Sequence, residues 1–309
     1  MKFSVESWAP EYGIAVDATQ LDEPSNSVDV TIEVPPDAWQ PQSPPADTPA
    51  PSRMLFVDGV RRIDARVWYD DAGITRAGVC ASVAAGAVLC TGDSAVVVEC
   101  SVVHGFFAAA SPTATSITTA HGDYQYFPCG GDTAEDIYLG IHEQMTNVEA
   151  KTAAQHDVEL VIFDGPLRGR HDPLGVGYVK TQQVQYLPDP LQPILAQLGD
   201  GQRTPLFLIG GRGFTRYSWY LRLPGPRSQP LSGVIRCELA AAGTVAAAIE
   251  RASIITALLP RYASEPHKDP RAPQNLYPIA GLERDLRHRL GDQQLLERAL
   301  RRAAAAVAG

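Results

Sequence analysis

Residues 28–34, Val-Asp-Val-Thr-Ile-Glu-Val, alternate apolar and polar positions, the period of a half-buried strand. After a proline-rich gap, apolar runs at 54–57, 65–69, 79–89 and 95–103 predict consecutive antiparallel strands. The period then changes. Ile137, Ile141, Met145, Val148 and Thr152 recur at intervals of three and four, one face of a helix. Thr133, with Asp136 three positions later, marks its start. Leu160-Val161-Ile162-Phe163 reads as a buried strand that stops at Asp164-Gly165-Pro166. Further strands are predicted over 177–181, 204–209, 217–223 and 233–239. A helix is predicted over 245–259, ending before Pro260. One or two terminal helices are predicted over 281–307, with a break at Gly291.

Composition sharpens this picture. The chain has 309 residues, 45% of them hydrophobic and 20% charged, enough for a sizeable core and unlike a disordered chain. No apolar run approaches the roughly 20 residues of a membrane helix. The first ten residues lack an apolar signal core, so the expectation is a soluble cytoplasmic protein without membrane association. Seven prolines between 35 and 51 forbid a helix or a central strand there. The predicted organisation is an N-terminal strand-rich extension (1–34), a proline-rich tether (35–52) and a main α/β domain (53–309). The net charge of −9 is uneven: residues 1–52 hold nine acids and one base, and the remainder is almost neutral. A basic stripe for nucleic acid is therefore not evident, although a local one fits the numbers. Five cysteines without a CxxC pair argue against a zinc ribbon or a disulfide scaffold and read as buried reduced thiols.

The candidate chemistry sits on two segments that mirror each other. Met54-Leu55-Phe56-Val57-Asp58-Gly59 and Leu160-Val161-Ile162-Phe163-Asp164-Gly165 each place an Asp after four apolar residues. Two such strands side by side would bring two carboxylates together, an arrangement that asks for a cation. Oxygen-only donors favour Mg²⁺ or Mn²⁺ over zinc. Asp-Gly is equally a hairpin signal, so each Asp taken alone also reads as a turn. On the wheel of the intervening helix, Glu149 falls beside the apolar stripe and Glu143 on the solvent side. Glu149 is therefore expected to point toward the strand ends. Arg168, Arg170 and His171, in the loop after Asp164, are candidates for phosphate contact. Tyr217 and Trp219 are candidates for stacking on bases, with core packing as the other reading. Arg236 and Glu238 read as a structural ion pair. Glu99 interrupts a Val-rich strand that could approach the same cleft.

The order of Phe56-Val57-Asp58-Gly59, a helix with Met145-xxx-Glu149, Val161-Ile162-Phe163-Asp164-Gly165-Pro166-Leu167 and Gly177-Tyr178-Val179-Lys180 resembles the NurA family of nucleases. Arg203-Thr204-Pro205-Leu206-Phe207, Tyr217-Ser218-Trp219-Tyr220-Leu221-Arg222, Arg236-Cys237-Glu238 and Tyr277-Pro278 extend the resemblance over about residues 53–290. The resemblance implies an RNase H-like mixed sheet flanked by helices. It also implies a manganese-dependent nuclease, acting 5′ to 3′ and as an endonuclease in DNA end processing. Such proteins form dimers and work with a HerA-type hexameric ATPase. Carried over by position, Asp58, Glu149 and Asp164 would hold Mn²⁺ (or Mg²⁺), and Lys180 would face the scissile phosphate. The chain departs from the pattern where the family carries a His beyond its Tyr-Pro motif. Glu283 stands near that position and is the candidate fourth ligand, with a helix-start acid as its other reading. That departure supports a rival expectation: a NurA-like scaffold with weakened catalysis that binds the ATPase or DNA. Gly210-Gly211-Arg212-Gly213 lacks the Lys and Ser/Thr of a P-loop, so the chain is not itself the ATPase.

Overall fold

The computed structural model describes residues 1–6, 27–167, 170, 172–181, 184–211, 214–227 and 229–308. Its N-terminal part contributes two short strands, β1 (Phe3–Val5) and β2 (Ser27–Asp29). The Val-rich runs then merge into three long strands, β3 (Arg53–Asp71), β4 (Ile74–Thr91) and β5 (Ser94–Ala109), paired antiparallel as a meander. β6 (Ile117–Thr119) and β7 (Gly122–Cys129) follow. The helix α1 (Ala134–Ala153) starts at a capping box in which Thr133 and Asp136 satisfy each other's backbone N–H. Two strands then add to the meander in parallel: β8 (Leu160–Asp164) beside β3, and β9 (Gly175–Val179) beside β8. A short α2 (Ile194–Gln197) precedes β10 (Phe207–Gly210), β11 (Thr215–Arg222) and β12 (Val234–Ala240). The chain ends in α3 (Val245–Leu258), α4 (Tyr277–Arg289) and α5 (Gln293–Ala308), the last two separated at Gly291 as expected.

Among the described residues the twelve strands run in the order β2-β10-β11-β12-β9-β8-β3-β4-β5-β7-β6, with β1 pairing β3 off this path. An antiparallel meander followed by a helix and two parallel strands on its first member is the RNase H-like mixed sheet. Alternation divides its two faces. Ala81, Val83 and Ala85 of β4 pack with Ile137, Ile141 and Val148 of α1. Phe56, Val60 and Ala84 face the other way, against Ile279, Leu282 and Leu286 of α4. A β-bulge between Ile63 and Ala65 inserts Asp64 and shifts the register by one. Even positions before the bulge and odd positions after it therefore face the same helices, so Val67 and Tyr69 meet Leu300 of α5. Asp64 is wholly buried by this device and accepts hydrogen bonds from Ser82, Tyr124 and Arg62.

The N-terminal part differs from expectation. The strand expected over 28–34 is confined to Ser27–Asp29, because Asp29 Oδ1 accepts from the Thr31 backbone N–H at 2.8 Å and turns the chain. The proline-rich stretch is extended, but it is attached to the sheet. The half-buried Glu33 accepts from both terminal guanidinium nitrogens of Arg203 at 2.8 Å and from Leu206 N–H at 2.6 Å. Gln42 and Arg203 exchange backbone hydrogen bonds of 2.8 and 2.9 Å. Residues 27–42 thus close the sheet at the β10 edge. Residues 7–26, which carry four of the nine N-terminal acids, lie outside the described residues. Among the described residues no helix is long and apolar enough to cross a membrane.

Candidate active site

β3 and β8 run parallel in register from Met54↔Leu160 to Val57↔Phe163. Asp58 is the next residue on β3, and Asp164 the next on β8. In a parallel pair, residues at matching positions project to the same side, here the α4 side. Asp58-Gly59 is neither a turn nor the end of a strand, since β3 continues paired with β4 as far as Asp71. The pairing partner ends instead. β8 leaves the sheet at Gly165, whose φ of 103° suits glycine, and whose N–H donates to Tyr178 O at 2.8 Å. The two carboxylates therefore stand side by side where one strand stops and the other goes on.

Around them lies a chain of polar contacts from elements distant in sequence. Lys180, just past β9, donates from Nζ to Asp164 Oδ2 at 2.7 Å and to Asn275 Oδ1 at 2.7 Å. Asn275 is wholly buried and donates to Asp269 Oδ2 at 2.6 Å. Arg271 bonds Glu283 at 2.8 Å, and Arg287 bonds the other Glu283 oxygen at 2.9 Å. Glu283 thus faces the two aspartates from α4, held between two guanidinium groups.

Glu149 stands elsewhere. It belongs to α1, on the opposite face of the sheet, and lies behind Gly59. A Cβ at Gly59 would collide with the Glu149 carboxylate and stand 2.8 Å from Met145 Cγ. The expectation that Glu149 reaches the strand ends is met only through this missing side chain. The Glu149 carboxylate pairs with Arg170, whose guanidinium also lies over the Phe163 ring at 4.7 Å and bonds Pro166 O at 3.2 Å. Gly59→Ala is expected to force Glu149 and Met145 aside at a cost of about 1–3 kcal/mol. Thermal melts of the variant and the parent chain measure it.

Electrostatics bind these groups together. Burial, then the neighbouring Asp164 and the more remote Glu149 and Glu283, push the Asp58 carboxyl well above the ordinary carboxylate range, with Lys180 opposing. Burial also raises Asp164, again against Lys180. Partial burial raises Glu283, but Arg271 and Arg287 outweigh it and hold it low. The aspartates and Glu283 line one cleft of about 560 Å³ with residues 59–63, Tyr138, Arg271 and Arg287. Among the described residues no three His, Cys, Asp or Glu side chains converge closely enough to form a ready metal-holding group. The donor chemistry nevertheless fits a hard divalent ion: the donors are oxygen only, and Asp58 is a buried carboxylate raised by its acidic neighbours. Lys180 occupies one Asp164 oxygen, and two arginines occupy Glu283.

Several sequence candidates need correction. Trp219 is fully buried and Tyr217 nearly so, both within the core beneath α3 and α4, so neither offers a ring to a base. The period-2 reading places them on one face, and that face is the packed one. Arg170 is turned inward by Glu149 and is not a surface phosphate contact. Arg168 and His171 lie outside the described residues. Glu99 faces Ala87 across β5–β4 and does not line the cleft. Arg236 and Glu238 do pair, and Arg216 joins them. Sequence reasoning missed Arg61, Tyr138, Arg271 and Asn275. Only Asn275, two positions before Tyr277-Pro278, stands in a segment already singled out.

A NurA domain model matches residues 134–285. The NurA nuclease from Sulfolobus solfataricus is similar in structure, with a TM-score of 0.48 and 11% identity over 82% of this chain and 84% of that one. Endonuclease V from Bacillus subtilis gives a TM-score of 0.34 and 13% identity over 76% of this chain and 79% of that one. No curated protein sequence matches the chain. The matched segment contains α1 with Glu149, Asp164, Lys180, Asn275 and Glu283, and over these residues the chain carries a NurA domain.

Proposed function

We propose that the chain is a metal-dependent nuclease that hydrolyses phosphodiester bonds in DNA. The observation that carries this reading is the pair Asp58 and Asp164, set in register on parallel strands inside a cleft rimmed by cations. Asp58 and Asp164, with Glu283 across the cleft, would hold Mn²⁺ or Mg²⁺, and Glu149 would support them from behind Gly59. When bound, the ion would activate water and neutralise charge on the phosphoryl oxygens. Phosphodiester hydrolysis builds negative charge on those oxygens and on the leaving oxygen. Lys180 sits beside Asp164 where its ammonium can face that charge, and Arg271 and Arg287 present guanidinium groups from the α4 side. Asn275 and Asp269 orient Lys180 by accepting and relaying its hydrogen bond. The resemblance supports the finer reading: 5′ to 3′ exonuclease and endonuclease action in DNA end processing and repair, as a homodimer with a HerA-type ATPase.

End-labelled DNA tests the reading. Cutting is expected with Mn²⁺, none with EDTA, and none by Asp164→Asn. A chain that cuts nothing with either metal, alone or with a HerA-type ATPase and ATP, would be the weakened scaffold. The engagement of Glu283 by two arginines is the observation that favours this second reading.

A further inference from the structure

A groove separate from the aspartate cleft lies at the β6–β7 end of the sheet. α5 covers this hairpin, with Leu300 and Ala304 packed with Ile117 and Tyr124. Ile117 and Tyr124 are direct partners, so Thr119 and Gly122, the pair two positions on, face α5 as well. Thr118 and Asp123 face the other way. Thr119 Oγ1 donates to Gly122 O at 2.8 Å and accepts from His121 N–H at 3.2 Å, which fixes the turn. The groove between this turn and the helix has a volume of about 370 Å³. Thr119 and His121 line one wall, and Leu295, Arg298, Ala299 and Arg302 line the other.

The charges of α5 are sorted by face. Glu297 pairs with Arg301 at 2.6 Å, and Arg301 also bonds Glu6 O at 2.9 Å. Asp292 is spent on the Leu295 N–H at 2.8 Å. Arg298 and Arg302 stand one turn apart on the groove face, about 6 Å along the axis. Arg298 bonds the Gln294 carbonyl of its own helix through Nε at 3.2 Å, and no acid among the described residues pairs with either arginine. Like charges one turn apart cost helix stability. An anion between them removes that cost and gains charge-assisted hydrogen bonds, and the small Ala299 leaves it room. The surroundings are basic too: residues 284–302 hold six arginines and three acids in a chain of net charge −9. One junction joins groove and cleft. Arg62, in the cleft wall, bonds Gly291 O at 2.6 Å, and α5 starts two residues later. Arg298 lies five residues further, about 7.5 Å along the helix.

We propose that the α5 groove is a phosphate site outside the cleft, where Arg298 and Arg302 hold two adjacent backbone phosphates of DNA. Thr119 and His121 close on the same strand from the hairpin. Among the described residues no Phe, Tyr or Trp lines the groove, so it holds backbone and does not read bases. The inference takes its ligand class from the nuclease reading, but its test does not depend on cutting.

The test titrates a fluorescein-labelled hairpin duplex of thirty base pairs with the full chain in EDTA, over a range of salt. The double variant Arg298→Gln, Arg302→Gln is expected to bind about tenfold more weakly. The slope of log K against log salt should fall by about 1.8, the loss of two phosphate contacts. Both side chains are exposed and Gln is a good helix former, so the variant is expected to fold. The double variant Arg298→Lys, Arg302→Lys, which keeps both charges, should keep the slope. Arg284→Gln is the charge control: it removes an exposed α4 arginine that also lacks an acid partner among the described residues and lies outside the groove. It should change binding less than about twofold. Equal binding by wild type and the double Gln variant would overturn the proposal. So would a loss with Arg284→Gln as large as with Arg298→Gln alone, which would mean a general field, or no binding by wild type at about 50 mM salt. A wild type that binds as expected and yet cuts nothing with Mn²⁺ would sink the nuclease reading and leave the phosphate site standing.

Discussion

Asp58→Asn is expected to abolish phosphodiester cleavage and, at neutral pH without divalent ions, to make the protein more stable. The two effects share one cause. The Asp58 carboxyl is buried on β3, with Asp164 beside it and Glu149 and Glu283 adding further negative charge, so its ionised form is costly in the folded state. A carboxyl whose folded pKa is raised favours the folded state while protonated. That contribution is present below the ordinary carboxylate range and is lost as pH rises through the folded value. At neutral pH wild type therefore carries a burden that the Asp58→Asn variant lacks. The expected gain is about 1–3 kcal/mol, or several degrees in Tm, and it should vanish in acid, where Asp58 is already protonated. Mn²⁺ should reverse the order. Binding to the folded state stabilises wild type by mass action and leaves Asp58→Asn almost unmoved. Loss of a central catalytic group costs on the order of a thousandfold or more in rate. Melts from pH 4 to pH 8 in EDTA and in Mn²⁺, together with cleavage rates, give both readings. An Asp58→Asn protein less stable than wild type in EDTA would show that Asp58 is a structural partner and not a poised ligand.

Much of the frame is legible because it rests on local periodicity. The α1 stripe, its Thr133 cap, the β8 run and the break at Gly291 each depend on residues within a few positions of one another. The three long strands are legible as apolar runs, but not as continuous elements. Asp58-Gly59 carries a local turn signal that pairing with β4 along eighteen residues overrides. Asp64 interrupts the alternation, and only the buried partners Ser82 and Tyr124 explain it as a bulge. β6 and β7 leave no such trace, because β6 is three residues long and β7 lacks a regular alternation. The helical wheel places Glu149 correctly beside the apolar stripe of α1. Which face of the sheet α1 covers is a tertiary fact, and it decides that Glu149 meets Gly59 rather than Asp58. The partners of the site residues are illegible for the same reason: Asn275 lies 95 positions from Lys180. Tyr217 and Trp219 show the converse, since aromatic alternation cannot distinguish a packed face from one that stacks on bases.

Glu238→Ala is expected to cause the largest loss of stability, although Glu238 lies outside the cleft. Its side chain is fully buried and serves three donors: Arg236, Arg216 at 2.9 Å and the Leu167 N–H at 2.9 Å. Both arginines also lie over the Tyr186 ring, at 4.6 and 5.9 Å. Burial alone would raise the Glu238 carboxyl, but Arg236, Arg216 and the Leu167 N–H together hold it below the ordinary glutamate range. The stabilisation is therefore present above that range and lost as pH falls through the lowered folded value. Truncation leaves two guanidinium groups in the interior without their anion, at a cost of about 3–5 kcal/mol, or on the order of 10 °C in Tm. Glu238→Gln, which keeps an acceptor for Leu167, should fall between. The damage should also reach the cleft. Leu167 is the anchor of the loop that leaves Asp164 at Gly165 and returns Arg170 to Glu149. Cleavage at a temperature where Glu238→Ala is still folded is expected to drop about tenfold, the scale of a group that orients a ligand. Melting and cleavage must move together for this account to hold. A variant that melts within about 2 °C of wild type would mean that Arg216 and Arg236 find water or another acceptor, and the anchoring of Asp164 would then have to come from Gly165 and Tyr178 alone.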